Sequence, residues 1–327
     1  MTIDFDKLMD LRVDYAFKLL FIRGKKRLLI SLLNAIFANK GIHRKITWLR
    51  IKNPYLEKDS KKGKLSILDI AAKLSNGSII LIEIHLHELV EIKAKTIRSW
   101  AVTHGTQLRK KEKYSSQPPT IAITFTNGQI KTLAADSKPK IHRLCKITDI
   151  ETGEILTNAM ELHYIDMQAF LAQLIKLGGL EKMQKKTTLP KNNNTETLNN
   201  DLIDWLSLML QKDIEDKNII KAVYERNKDV KSAIDTLVWQ SEDEYARASY
   251  IRRQNDLINY ETKLFEAEEG KKKAERKSER DRRKIEQLEL KNQEEQQKRE
   301  QAEQLAAEQA HQIAMLLQKV AEQGITL

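Results

Sequence analysis

Apolar positions recur at three- and four-residue steps from Leu11 to Ala38, with Val13, Phe17, Leu20 and Phe21, then Leu28, Leu29, Leu32, Leu33 and Ile36. That spacing predicts two helices, each with one buried stripe, broken near Arg23-Gly24. Residues 46–56 change rhythm: Ile46, Thr47, Trp48, Ile51 and Tyr55 favour an extended segment, interrupted by Pro54. Two apolar runs follow, Lys64 to Leu74 and Ile79 to His87, separated by Ser75-Asn76-Gly77-Ser78. Asn and Gly tolerate the positive φ angles of tight turns, so these runs read as a β-hairpin. A helix is expected from about Glu91 to Lys113, with Ile92, Ile97 and Trp100 on one side and basic residues on the other; Pro118-Pro119 stops any continuation. Thr120 to Thr126 reads as another strand. After a poorly patterned stretch, Ala159 to Met167 reads as one more.

This order of helix, three strands, helix and strand predicts a mixed α/β domain over residues 1–180. Residues 181–200 are rich in Lys, Thr and Asn and read as a linker, and residues 201–260 return to helical periodicity with Leu202, Trp205, Leu206, Leu208 and Met209. From Glu261 to Gln323 the chain is dominated by Glu, Lys, Gln, Arg and Ala, the composition of a long helix. Ile285 and Leu288 are followed by a polar run to Gln301, and apolar residues return only from Ala302 to Val320. Residues 261–327 are therefore expected as a solvated helix whose amphipathic end could self-associate, without a seam sustained over several heptads.

Charge sharpens the picture. The chain of 327 residues has 57 Lys+Arg against 46 Asp+Glu, and residues 1–150 hold 29 of the former and 13 of the latter, so the first half is strongly basic and the second mildly acidic. Such a basic half favours a polyanionic partner. One cysteine excludes a disulfide scaffold. No stretch approaches the roughly 18 consecutive apolar residues of a membrane span, and Met1 to Asp10 lacks an apolar run, so a cytoplasmic location and no membrane partner are expected.

Candidate chemistry lies at the hairpin. Asp69 sits inside Leu-Asp-Ile and Glu83 inside Ile-Glu-Ile, where a carboxylate costs desolvation energy unless something cationic compensates. Two carboxylates on adjacent strands can hold a hard divalent cation beside a phosphate. Glu83 and His85 share a strand face. A two-residue Asn76-Gly77 loop would pair Asp69 with Ile84 and turn it away, whereas a three-residue Asn76-Gly77-Ser78 loop pairs it with His85 and keeps it on that face. A metal site across the hairpin thus requires an odd loop or a bulge. His87 also shares the face, a spacing open to a transition-metal site with Glu83 and His85. Lys61, Lys62 and Lys64, with Lys93, Lys95, Arg98, Arg109, Lys110, Lys111 and Lys113, could meet phosphates or simply keep the chain soluble.

Residues 9–170 resemble the recombination-promoting nuclease and transposase family, a branch of the PD-(D/E)XK nucleases. The likeness rests on Val13 to Phe21, Leu29 to Ile36, Asn53 to Glu57, Lys64 to Ile70 and Ile82 to His85, with Gln107 and Tyr114 at the family's spacing. Trp205, Ala233, Leu237 and Tyr250 also resemble the helical region that follows such cores. The resemblance implies an α/β fold, with a restriction-endonuclease-like α/β/α core and a C-terminal all-α extension, and metal-dependent cleavage of DNA using Mg2+ or Mn2+. Carried over by position, Asp14 matches the acidic residue of the first helix, Asp69 the metal-binding aspartate and Glu83 the second carboxylate. By position alone Asp14 reads rather as an exposed residue near a helix N-terminus, stabilised by the helix dipole. His85 stands where the superfamily has lysine and this family usually glutamine, and Lys95, Ser99 and His104 stand where arginine and tyrosines are usual. Lys64, Lys93, Lys95, Arg98, Gln107, Arg109 and Lys110 become candidate DNA contacts, which position phosphates without reading sequence. The expectation is a DNA endonuclease of little sequence specificity; the alternative is a degenerate DNA-binding or helix-mediated assembly protein on the same fold.

Overall fold

A computed structural model describes residues 3–42, 44–52, 69–85, 91–108, 110–128, 140–185 and 198–322. Its centre is a six-stranded mixed sheet of order β1-β2-β3-β4-β6-β5, formed by β1 (Leu49–Lys52), β2 (Ile70–Leu74), β3 (Ile79–Ile84), β4 (Thr120–Thr126), β5 (His142–Thr148) and β6 (Ile155–Asp166). β3 and β4 are buried along their whole length and pair in parallel, as do β4 and β6. Strands with both faces covered carry near-continuous apolar runs, which is why Ile79 to Ile84 is so hydrophobic. The other pairings are antiparallel.

The poorly patterned stretch before residue 159 contains β5, and β6 begins four residues earlier than its apolar pattern suggests. β5 is an edge strand with Arg143 and Lys146 in it and register irregularities between Cys145 and Thr148. Charges and bulges blunt a sheet edge against other strands, and they also erase the alternation that would announce it.

The β2–β3 hairpin closes through a three-residue loop, Ser75-Asn76-Gly77. The Leu74 N–H donates to Ser78 O at 2.9 Å, the Gly77 N–H to Leu74 O at 3.1 Å, and the Ser78 N–H to Asn76 Oδ1 at 3.1 Å. Gly77 takes φ +87°, and a Cβ there would lie 3.0 Å from Pro118 Cγ, so both conformation and space call for glycine. The loop is odd, as a shared face requires, but it sits one residue earlier than Asn76-Gly77-Ser78. Ile70 pairs with Ile82, so one step further Asp69 comes opposite Glu83 rather than His85.

Helix α1 (Asp14–Lys18) continues through a π-helical turn, Leu19–Arg23, to Gly24, and α2 (Lys26–Asn39) follows. α2 buries Leu28, Leu29, Leu32, Leu33, Ile36 and Phe37, and Phe37 packs edge-on to His163 of β6 at 5.4 Å. The other sheet face is covered by α3 (Ile92–Gly105), over a cluster of Ala71, Ile79, Leu81, Ala122, Leu162 and Tyr164 with Trp100 against it. α3 ends at Gly105, well before Lys113, and its buried face is Ile92, Thr96, Ser99 and Thr103, with Ile97 outward. A polar buried face has a polar counterpart: Thr96 Oγ1 meets Thr124 Oγ1 at 3.1 Å, Trp100 Nε1–H donates to Thr120 O, and Ser99 reaches Glu83.

After α4 (Met167–Leu177) and α5 (Leu180–Lys185), α6 (Asn200–Met209), α7 (Lys217–Arg226) and α8 (Lys228–Glu242) are capped by Asn199, Asp216 and Asn227, each accepting from a first-turn N–H. Trp205 of α6 is fully buried against Phe21, with ring centroids 5.8 Å apart. α9 (Glu244–Glu322) is a single 79-residue helix that begins well before Glu261. The chain forms two compact units, Met1–Asn255 and Asp256–Leu327; the first turns of α9 belong to the first, where Ala246 and Tyr250 are buried.

Candidate functional site

The hairpin register decides the site. Asp69 and Glu83, opposite one another at the open end of the hairpin, are both buried. Asp69 stands immediately before β2, and its side chain reaches across to β3: the Ile84 N–H donates to Asp69 Oδ2 at 2.8 Å. Asp69 Oδ1 lies 3.1 Å from Lys18 Nζ. The same ammonium is 3.2 Å from Asp14 Oδ2, four residues back on the same helical face, and Arg253 Nε donates to Asp14 Oδ1 at 2.7 Å. Asp14 is thus drawn into the site by α1 and by the start of α9.

Glu83 has its own surround. Oε2 is 2.9 Å from Lys95 Nζ and 3.3 Å from His85 Nε2, and Ser99 Oγ donates to Oε1 at 3.2 Å. Lys95 and Ser99 are both on α3, one helical turn apart, so this helix supplies two of the three contacts made by described residues.

The electrostatics differ between the two hairpin carboxylates. Burial would raise Glu83, but the His85 hydrogen bond and the Lys95 charge outweigh it and hold the carboxyl below its ordinary value. For Asp69, burial wins over Lys18 and the Ile84 N–H, assisted by the nearby Asp14 charge, and its pKa is raised. Burial would also raise Asp14, yet Arg253 and Lys18 bring it down, while Asp69 and Asp14 raise Lys18 against the effect of its own burial. The arrangement is a buried set of carboxylates balanced by ammonium and guanidinium groups, which is how ionised oxygens are kept in a low-dielectric pocket.

The remaining candidates are dispersed. Lys93 and Arg98 lie on exposed positions of α3. Gln107 is tied into the loop, donating to Thr120 Oγ1 at 2.5 Å and to Pro118 O at 3.2 Å. Lys110 and Lys111 are exposed, as is Tyr114. Lys61, Lys62, Lys64, His87 and Arg109, with the segment Asn53 to Glu57, lie outside the described residues. Of the residues around the carboxylates, Lys18 and Arg253 were not anticipated. Lys18 had a signal, its i,i+4 spacing from Asp14; Arg253 had none, since 239 residues separate it from its partner.

Among the described residues no group of three or more His, Cys, Asp or Glu side chains could hold a metal ion by itself, and no helix is long and apolar enough to cross a membrane. No curated protein and no solved structure matched the chain. A family model, PD-(D/E)XK nuclease family transposase, matches residues 11–267. Its span runs from before Asp14 to beyond Arg253 and takes in Lys18, His85, Lys95 and Ser99 around the two hairpin carboxylates. The mixed sheet with the acidic pair at the open end of its hairpin, and helices on both faces, fits the restriction-endonuclease-like fold, and the chain belongs to the PD-(D/E)XK nuclease family transposases.

Proposed function

We propose that this protein is a divalent-metal-dependent endonuclease that hydrolyses DNA phosphodiesters with little sequence preference. The observation that carries the reading is the placement of Asp69, just before β2, and Glu83 of β3 together at the open end of the hairpin, buried and flanked by cations. PD-(D/E)XK nucleases generally use divalent metals, and the donors here suit a hard one. Magnesium is commonly bound by one or two carboxylates, with water and substrate phosphate completing its shell, so the absence of a third protein ligand among the described residues is compatible with it. Asp69 and Glu83 would hold Mg2+, or Mn2+ in its place; the ion would polarise the phosphate and lower the pKa of a bound water.

The protein's own groups have separate tasks. Lys18 and Lys95, now against Asp69 and Glu83, mark where positive charge is favoured and can swing onto phosphate oxygens. Lys95 and His85 converge on Glu83 Oε2 and are the two groups able to orient an attacking water or meet charge developing on phosphorus. Arg253 and Lys18 fix Asp14 beside this centre. Exposed Lys93, Arg98 and Lys110 supply phosphate attraction without base readout.

The same pairs support a second reading. Lys18 and Lys95 neutralise the carboxylates without any metal, so a protein that keeps these pairs closed would bind DNA and leave it intact. Nicking of supercoiled plasmid at low salt, with and without Mg2+, separates the readings when wild type is run beside Asp69→Ala and Glu83→Ala. Cleavage by wild type alone supports the nuclease. Retention of plasmid without cleavage by any of the three supports the binding protein.

A further inference from the structure

The second unit, Asp256–Leu327, presents a solitary helix whose large apolar side chains are solvent-exposed: Ile285 is 56% exposed, Leu288 61%, Ile313 58% and Leu316 62%. The apolar pattern is interrupted, but its phase is not. Steps of alternately three and four residues lead from Leu257 and Tyr260 through Ala267 and Ala274 to Ile285, Leu288 and Asn292, and on through Ala302 and Ala306 to Ile313 and Leu316. With α9 helical throughout, these positions form one stripe of the 3.5-residue repeat that two supercoiling helices share.

We propose that this stripe pairs in parallel and in register with the same stripe of a second copy of the chain, as a two-stranded coiled coil. Three observations choose this occupant. β-branched Ile285 and Ile313 fall at the first core position of the heptad and Leu288 and Leu316 at the second, the combination that favours parallel dimers. Asn292 is the single asparagine at a core position, where two copies can hydrogen-bond only when in register. Charge then sets the direction. The positions flanking the seam on one side are Lys277, Lys284, Lys291 and Lys298; on the other they are Glu275, Glu289 and Glu303, with Arg282 and Gln296 between them.

In a parallel pair, each flanking residue meets the opposite flank of the partner five residues on, so Lys284 faces the partner's Glu289 and Lys298 the partner's Glu303. In an antiparallel pair like flanks meet, lysine against lysine and glutamate against glutamate. The parallel arrangement therefore gains where the antiparallel one loses, although Lys277 facing the partner's Arg282 is unfavourable in it. Lys271, Asp281, Glu295 and Arg299 occupy core positions between the apolar patches and weaken the pair, so the dimer forms and dissociates with concentration. The inference rests on the helix and is independent of the nuclease reading.

Sedimentation equilibrium of the full-length chain tests it. Wild type is expected to move from monomer to dimer with concentration. The double variant Lys284→Glu/Lys298→Glu turns four attractive contacts per dimer repulsive and should weaken association on the order of a hundredfold. Adding Glu289→Lys/Glu303→Lys to that variant reverses both flanks and should restore the dimer, a rescue that a folding defect would not show. Direction is read by Ala302→Cys in a Cys145→Ser background: in a parallel, in-register pair the two introduced thiols face each other and oxidation links the dimer covalently. A wild-type chain that stays monomeric, a dimer indifferent to charge reversal, or a dimer that Ala302→Cys does not crosslink would each overturn the proposal.

Discussion

Among the described residues Glu83 is contacted by three side chains of different chemistry, and their removal should have different consequences. Lys95 contributes a full charge at 2.9 Å and is part-exposed, so it can move toward a phosphate; Ser99 is buried and orients Oε1. Lys95→Met is expected to lower nicking by about 10²-fold, the loss typical of removing one preorganised charge-stabilising donor. Ser99→Ala should cost less than tenfold. If single-turnover nicking by Lys95→Met matches wild type while His85→Ala is inactive, the water-orienting task belongs to the histidine. The carboxylate pair was legible in the sequence because ionised residues stood inside runs of β-formers. Their cationic partners were not, since Lys95 and Lys18 sit on other elements and meet Glu83 and Asp69 only in the folded chain.

A second residue-scale consequence lies outside the site. His142 and His163 are fully buried, joined Nε2 to Nδ1 at 2.9 Å, with Asn39 Nδ2 3.0 Å from His142 Nδ1. Burial, the charge repulsion of His163 and that of Lys40 press His142 down to about 2. Glu161, 3.7 Å from His163 Nε2, would be raised by burial, but His163, a two-pronged Arg44 contact and Lys146 hold it down to about 2. His163 is lowered by its burial, against the pull of Glu161. A histidine neutral in the fold takes up its proton only on unfolding, so its stabilising effect is complete above about pH 6.5 and is lost as pH falls. Urea denaturation from pH 7.5 to pH 5 should show wild type losing stability by up to about 1.4 kcal/mol per pH unit for each such histidine. His142→Gln should be less stable at pH 7.5 yet have a slope shallower by close to one proton; an unchanged slope would place the titrating group elsewhere.

At the scale of elements, the hairpin converts loop length into site geometry. Side chains alternate faces, so one residue added to Ser75-Asn76-Gly77 either slips the register, turning Asp69 from Glu83's face, or must be absorbed as a bulge. An Ala inserted after Asn76 is expected to abolish nicking, whereas Gly77→Ala keeps the register and costs roughly 1–3 kcal/mol because it combines a positive φ with the contact to Pro118. Thermal melts and nicking of the two variants separate position from stability: the insertion loses activity even where it remains folded. The Asn-Gly pair announced this hairpin but not its loop length, which only the metal-site reading required to be odd, nor which three residues close it, since Leu74 and Ser78 pairing depends on how β2 meets β1 and β3. Other elements were less legible. Edge strand β5 carries charges that hide its alternation, and α3 buries threonines and a serine because the surface beneath it presents Glu83, Thr120 and Thr124, so hydrophobicity placed Ile92 and Trp100 inward but misplaced Ile97 and missed the polar part of the buried face.

At the scale of the whole molecule, the first unit depends on the opening turns of a helix that mostly belongs to the second. Tyr250 OH accepts the Asp10 N–H at 3.1 Å, and Asp10 in turn engages Arg12, which also pairs with Asp213. Arg253 holds Asp14. A chain ended after Asn255 keeps these contacts and loses only the exposed helix, so its nicking rate per molecule should stay within about twofold of wild type, because surface changes away from packed contacts are nearly neutral. A chain ended after Glu242 loses Ala246, Tyr250 and Arg253 together. Burying a large side chain is worth about 1.5–3 kcal/mol, so this shorter form should melt well below the other. It should also nick at least tenfold more slowly, since Asp14 then loses the Arg253 contact and, among the described residues, keeps Lys18. Equal activity of the two truncated chains would show that Arg253 has no part in the site; loss of activity in both would mean that the catalytic unit requires the distal helix, and with it the pairing of two copies.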